Sequence, residues 1–532
     1  MSKRSLFLMT IFGLVLLLAV LSFLATACSG DDFERTDGDG AEQPSDGDDD
    51  DREAEAEPDG EDVIDPGLRL RSEGWLRGDL HMHSKWSDGG DATAMVIAIG
   101  EYLENEIFLE AHPEYAGNGL DFISITDHRT ADTLTDPDWR SERLILVPGE
   151  ELGSDGHANL FGITEMVSHD PGNDGTTLDD LLAAIETVHG MGGAFSINHP
   201  FTPGDPWPWD TRTHDAVEVW NTKWAMQTSP LPEEYLTEWE ASRGPASPLF
   251  RRAIQESQDQ VLRFYEAMLA RGLHVALVGG SDRHVLFMNG FPTTWIKPEG
   301  GQSAGVVQGI LARHTFVSRT PVAATVEMTI NAGDGSAQMG DAVQIPPAGA
   351  TVTIHVRAGR AAGGLIRLMK GSAVASDEAL PEAPLGQVLA EAAIESEDFV
   401  FDVADVPVQP GDWIYPMVLE PLYAPSLSDE QKQTVDELAG AAFGMTGEDY
   451  GTFAMMFVDL IDLGILLDPS KCDPDAWDLT KLQCLPLVVN GEPTSTFFVP
   501  DWVDRALNAV PEEGAPGEWC MGAIGSAVMF VE

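Results

Sequence analysis

The sequence predicts an α/β protein, a parallel sheet or barrel followed by a smaller β-rich domain with a helical insertion. Three observations predict this. From about residue 67 to 321, short apolar runs alternate with stretches whose apolar residues recur at helical spacing. From about 322 to 532, alternating segments separated by Gly- and Pro-containing turns take over. And 12 of the 13 histidines lie between His81 and His314. Six of them stand at or beside predicted strand ends, where α/β folds collect functional groups.

Residues 1–27 carry Lys3 and Arg4, an apolar run from Leu6 to Leu24, and Leu24-Ala25-Thr26-Ala27 just before Cys28. This resembles a bacterial lipoprotein signal, in which Cys28 is lipidated and becomes the mature N-terminus. Ala25 stands where leucine is usual. Ser29 then favours the outer membrane within the cell envelope. The alternative is an uncleaved membrane helix, since the run is near the minimum spanning length. Residues 28–66 are mostly Asp, Glu, Gly and Pro, and cannot bury enough apolar surface to offset ordering entropy. They read as a disordered acidic tether. The formal net charge of -58 argues against nucleic acid as a partner, because a phosphate backbone needs a basic surface.

In the 67–321 segment, the runs at 119–126, 144–147, 194–197, 216–220 and 274–278 read as buried strands. Helical spacing marks 92–109, 178–189 and 251–271. Further on, 324–330, 351–356, 364–369, 399–403 and 413–419 read as antiparallel strands. A helical stretch at about 427–467 interrupts them, and 522–531 closes the domain. Cys472 and Cys484 are spaced for a short disulfide loop that leaves Cys520 over, and another pairing stays open.

The chemistry lies in the strand-end motifs. His81 and His83, two apart, present both imidazoles to one side, which suits one metal ion. Asp88 follows on the loop. Thr126-Asp127-His128, Pro148-Gly149-Glu150-Glu151, Gly156-His157, Asn198-His199-Pro200 and Gly280-Ser281-Asp282-Arg283-His284 come next. A lone strand-end histidine is more often an ordinary hydrogen-bonded residue. Six, joined by several carboxylates at strand after strand, read as a metal cluster.

In this order the motifs resemble those of the PHP (polymerase and histidinol phosphatase) superfamily. Gly156-His-Ala-Asn-Leu-Phe-Gly162 and Val217-Glu-Val-Trp-Asn221 are most similar to its carbaryl-hydrolase-like (CehA/McbA-type) branch. The resemblance covers residues 75–321 and implies a distorted seven-stranded (β/α)7 barrel with metals at its C-terminal mouth. It implies a first metal on His81, His83, Glu151 and Asp282. Glu151 would bridge to a second on His157 and His199, with Glu150 turned away. Asp88, His128 and His284 would form a third site.

Two or three divalent ions (zinc, manganese or iron) would then generate a metal-bridging hydroxide. The residues expected to act on substrate are His284, which would protonate the leaving group if the third metal is absent, Asp282, and Arg129 and Arg283, which would grip an anion or form salt bridges. Ser303, in a Gly-x-Ser-x-Gly run detached from its strand, reads as a helix N-cap and not a nucleophile. The substrate is expected to be a small-molecule phosphoester. The alternatives are a carbamate, ester or amide, or a metal-containing cell-envelope binding protein without turnover. Trp207, Trp209, Trp220 and Trp224 could wall an apolar pocket or simply pack.

Overall fold

The computed structural model describes residues 65–102, 116–153, 156–167, 177–201, 206–221, 233–243, 245–256, 260–284, 289–333, 335–374, 385–421 and 519–532, with single residues at 104, 109 and 380 and short pieces at 487–489 and 492–494. The chain divides into two compact units. One comprises Ile64–Leu467, Asp478–Leu482 and Phe498–Glu532, and the account below concerns it. The short strand pair Leu487–Val489 and Glu492–Thr494 belongs to the other unit. The expected signal with Cys28, residues 28–64 of the expected tether, the helical stretch at 427–467, and Cys472 and Cys484 lie outside the described residues, whereas Asp65 and Pro66, the expected end of the tether, cap and open a helix.

The fold is mixed α/β with several sheets. Strands β1 (Leu76–Asp79), β2 (Phe122–Ile123) and β3 (Ile145–Leu146) run parallel and side by side. A five-stranded sheet follows, in the order β4 (Gly149–Leu152), β5 (Ala158–Phe161), β6 (Ala194–Ile197), β7 (Ala216–Asn221), β8 (Ala276–Gly280). Two isolated bridges link the groups at both edges, Met82 with Arg283 and His128 with Glu151.

The expected parallel barrel needs correction. Among the described residues no ladder closes on itself, and β4, β5 and β6 pair antiparallel. The reason for the first of these is the short link from Leu152 to Ala158, which has no room for a crossover. Within this five-stranded sheet, β6–β7 and β7–β8 are parallel.

Helix α1 (Pro66–Ser72) opens on Asp65, whose carboxylate accepts from the Gly67 and Leu68 amides and pairs with Arg360. Next comes α2 (Thr93–Tyr102), on the segment expected to be helical from 92. Helix α3 (Leu178–Gly190) begins with a capping box, Thr177 and Asp180 each accepting from the other's backbone. Its Leu181, Ala184, Ile185 and Val188 are buried at helical spacing against the five-stranded sheet, and this packing sustains so short a helix. After α4 (Glu233–Arg243), the expected helix at 251–271 is two, α5 (Pro248–Glu256) and α6 (Gln260–Ala270). Helix α7 (Gln302–Leu311) has Gly301 as its N-cap with no side-chain cap bond. Ser303 therefore sits inside the first turn, which corrects the expected N-cap.

The strands after β8 bind the two halves of this unit. β9 (Thr293–Ile296) and β10 (Thr315–Ser318) continue antiparallel from β1. The C-terminal half contributes β11 (Thr325–Ala332), β12 (Gly335–Gln338), β13 (Ala342–Gln344), β14 (Ala350–Gly359), β15 (Leu365–Ser372), β16 (Gly386–Ala393), β17 (Asp398–Val408) and β18 (Asp412–Pro421). Past the short pair, numbered β19 and β20, come β21 (Trp519–Gly525) and β22 (Val528–Val531). β21 pairs with β10, so one eleven-stranded sheet runs from β3 through β1 into the C-terminal strands. An antiparallel sheet, β12-β11-β14-β17, adds a second layer. Alternate residues of the two layers (Val326, Met328, Ile354 and Val356 with Ile366, Leu368, Ile414 and Val418) share one fully buried core.

Candidate metal centre

The loop ends of β1, β2, β4, β6 and β8 converge. Residues 81–83 continue β1 in extended form, so His81 and His83 face one side while Met82 faces the other and bridges to Arg283. Gly280 makes this approach possible, because a Cβ there would collide with His81. Asp282 and His199, which carry two of the carboxylate and imidazole groups, hold positive φ angles of 48° and 21°. Such backbone is strained for a residue with a side chain and recurs at functional sites.

Glu151 is the centre. Its Oε1 lies 3.3 Å from His81 Nε2, 3.1 Å from His157 Nδ1 and 3.3 Å from His199 Nε2. Its Oε2 lies 3.2 Å from His83 Nε2 and 3.1 Å from His128 Nδ1. Asp282 Oδ1 stands 3.6, 3.2 and 3.4 Å from His81 Nε2, His83 Nε2 and His284 Nδ1. At the mouth Asp88, 57% exposed, reaches His284 Nε2 at 3.2 Å and both His83 Nδ1 and His128 Nε2 at 3.7 Å. Glu150 points the other way and accepts from the Val167 amide at 2.7 Å.

Four compact groups result: His83 with Asp88, His128 and His284; His81 with His83 and Glu151; His81 with His199 and Asp282; His128 with Glu151 and His157. All nine residues expected to bind metal thus come together. The groupings cut across the expected first and second sites, Asp282 falling apart from His83 and Glu151. His199 groups with His81 and Asp282, and His157 with His128, though the two rings remain 5.2 Å apart.

The donor set fits divalent metal. His81 Nε2, His83 Nε2, His199 Nδ1 and Glu151 Oε2 are buried without a hydrogen-bond partner. Leaving a buried polar atom unsatisfied costs about 1–3 kcal/mol, so four together require an explanation. Separations of 3.1–3.6 Å between donor atoms also match the edge of a tetrahedron with metal bonds of about 2.0 Å, roughly 3.3 Å.

Electrostatics agree. Burial opposes charge on His81, but Glu151, Glu218 and Asp282 outweigh it and hold the imidazole well above its ordinary value. Burial likewise opposes charge on His83, and Asp282 and Glu151 raise it to about 9. His128 goes down to about 4 through burial, assisted by the neighbouring His83 and His157. Glu151 and Asp282 stay far below the usual carboxylate range despite burial, because imidazoles surround them. A cation entering this cluster must displace protons, so its uptake is pH-dependent.

The two arginines separate. Arg283, between Asp282 and His284, turns away from the cluster and toward Asp91. It is buried, pairs with Asp91 and lies 3.5 Å from Asn289 Oδ1. That corrects the anion-gripping expectation in favour of the salt bridge. Arg129 is exposed at the mouth, its amide held by the Glu151 carbonyl at 2.9 Å, and among the described residues its guanidinium has no partner.

Sequence reasoning assigned no role to the groups that hold the cluster. Asn198 Nδ2 donates to Glu151 Oε1, and Glu218 accepts from His81 Nδ1, both at 2.9 Å. Asp127 accepts from the Ser84 amide and from the Ser84, Ser87 and Thr133 hydroxyls. The available signal was a charged residue inside an apolar run, as in Val217-Glu218-Val219. Of the tryptophans, Trp207 is fully buried packing against Phe195, while Trp209 is only partly buried beside Gly156. Trp224 lies outside the described residues.

No family model matches the chain, and no curated protein does. Among solved structures it is similar to a two-domain protein from Bacteroides vulgatus containing a predicted PHP-like metal-dependent phosphoesterase, at 14% identity and TM-score 0.30, over 64% of this chain and 90% of that one. It is also similar to PsfC from Pseudomonas syringae, at 18% identity and TM-score 0.30, over 46% of this chain and 90% of that one. A third is an amidohydrolase from Chromobacterium violaceum, at 15% identity and TM-score 0.22, over 39% of this chain and 87% of that one.

Proposed function

We propose that the chain is a metal-dependent hydrolase of the PHP superfamily, from its CehA/McbA-like branch, acting on small phosphoesters. The observation that carries this reading is the Glu151 carboxylate, set 3.1–3.3 Å from five imidazoles. His81, His83, Asp88, His128, Glu151, His157, His199, Asp282 and His284 would hold two or three ions of zinc, manganese or iron. Such ions supply Lewis acidity and acidify water.

The chain's own groups do the rest. Arg129, at the mouth with its guanidinium unengaged, would bind the anionic substrate. His284 Nδ1 donates to the Asp282 carbonyl at 2.9 Å, since a carbonyl can only accept. That tautomer leaves Nε2 facing Asp88, able to hold a cation there or to move a proton at the leaving group.

Carbamate, ester or amide hydrolysis is the second reading. Trp209 favours it, being partly exposed beside Gly156, the residue before His157 in sequence. Elemental analysis of the full chain, with side-by-side assays on bis(p-nitrophenyl) phosphate and an aryl ester, tests both. The expected result is two or three metals and chelator-sensitive phosphodiester cleavage. Ester cleavage alone would favour the second reading, and a protein that takes up no metal would refute both. Delivery to the bacterial envelope as a lipoprotein anchored at Cys28 is part of the same proposal, supported by the small residues before that cysteine.

A further inference from the structure

Strand β7 runs between β6 and β8, yet none of the clustered metal-binding side chains lies on it. Its Val217 and Val219 enter the apolar core, which turns Glu218 between them toward the cluster. There Glu218, 2% exposed, uses both oxygens. Oε1 accepts from His81 Nδ1 at 2.9 Å. Oε2 accepts from the His199 amide at 2.9 Å and from Asn221 Nδ2 at 3.1 Å. Asn221 Nδ2 is in turn 3.3 Å from Asp282 Oδ2. One carboxylate thereby ties together residues from the ends of β1, β6 and, through Asn221, β8.

We infer that Glu218 is the positioning residue of this centre, fixing the tautomer of His81 and the backbone of His199. The inference rests on the metal-centre reading above. A carboxylate only accepts, so the proton of a neutral His81 must sit on Nδ1. Nε2 then presents its lone pair toward Glu151 and Asp282, the side on which it is buried without a partner. At His199, whose φ of 21° is unfavourable for a side-chain-bearing residue, the bond from its amide to Glu218 holds the strained conformation. Both Glu218 oxygens are thus engaged by the protein.

The test is Glu218→Gln in the otherwise unchanged chain, because glutamine keeps the shape and can still accept from His199. Its amide would donate to His81 Nδ1 and so favour the wrong tautomer. Zinc affinity, measured by chelator competition, is expected to weaken 10- to 100-fold. In zinc-loaded wild type, nitrogen-15 spectra should show His81 protonated at Nδ1 and not at Nε2. That second measurement needs no variant and stands even if the glutamine form fails to fold. Unchanged zinc affinity in a folded Glu218→Gln protein, or His81 protonated at Nε2 in the wild type, would overturn the inference. Wild type that binds no zinc would instead overturn the metal centre beneath it.

Discussion

Asn198 Nδ2 donates a 2.9 Å hydrogen bond to Glu151 Oε1, the same oxygen that faces His81, His157 and His199. The backbone of the residue before His199 thus carries a side chain that aims the central carboxylate. Glu151 is held from β6 as well as from its own strand, and its neighbour Glu150 takes no part.

That contrast gives a paired prediction. Glu151→Gln should lower bound metal and cut turnover at least 100-fold, because the variant loses the charge that all five imidazoles face. Glu150→Gln should keep its metal and cost about 1 kcal/mol through the weakened bond to Val167. Metal analysis and thermal melts of both proteins check this; equal metal loss in the two would contradict the assignment.

The arginines should part in the same manner. Arg129→Ala is expected to raise KM for an anionic phosphodiester about tenfold, roughly 1.4 kcal/mol, with an unchanged melting temperature. Arg283→Ala leaves the Asp91 carboxylate largely buried and unpaired, and should destabilise by about 3 kcal/mol. Steady-state kinetics and denaturant titrations distinguish them.

Acid should unfold the protein partly through His214. Burial lowers its imidazole to about 4 from an ordinary 6.5, and its Nε2 has no partner. Because the folded value is depressed, the neutral form's advantage is present above the unfolded value and is lost as pH falls from about 6.5 through 4. The loss approaches 3 kcal/mol in order of magnitude. In chelator-treated protein, His214→Gln should show a shallower decline of stability between pH 7 and 4.5 than wild type. Parallel curves would count against it.

At the N-terminus, Cys28→Ser should abolish incorporation of labelled palmitate and release the protein from membranes. Retained label would place the anchor elsewhere.

Much of the centre was legible because its residues fall in ordered motifs at strand ends, and β6 and β7 because apolar runs mark them. Orientation was less legible. Arg283 sits between two site-facing residues, and only its pairing with Asp91, far away in sequence, shows that its side chain turns inward. Glu218 and Asn198 read as single polar residues until their partners, far away in sequence, come into contact. The antiparallel turn at β4–β5 was hidden because an apolar run does not state its direction.

The pairing of β10 with β21 has a consequence for biosynthesis. Ser318 is translated long before Trp519, so a nascent chain emerges with β10 exposing one unpaired edge until the final strands arrive. A truncation after residue 321 would make that open edge permanent and invite aggregation. Excising the histidine-rich half as a free-standing catalyst should fail unless residues 519–532 are grafted back beside it.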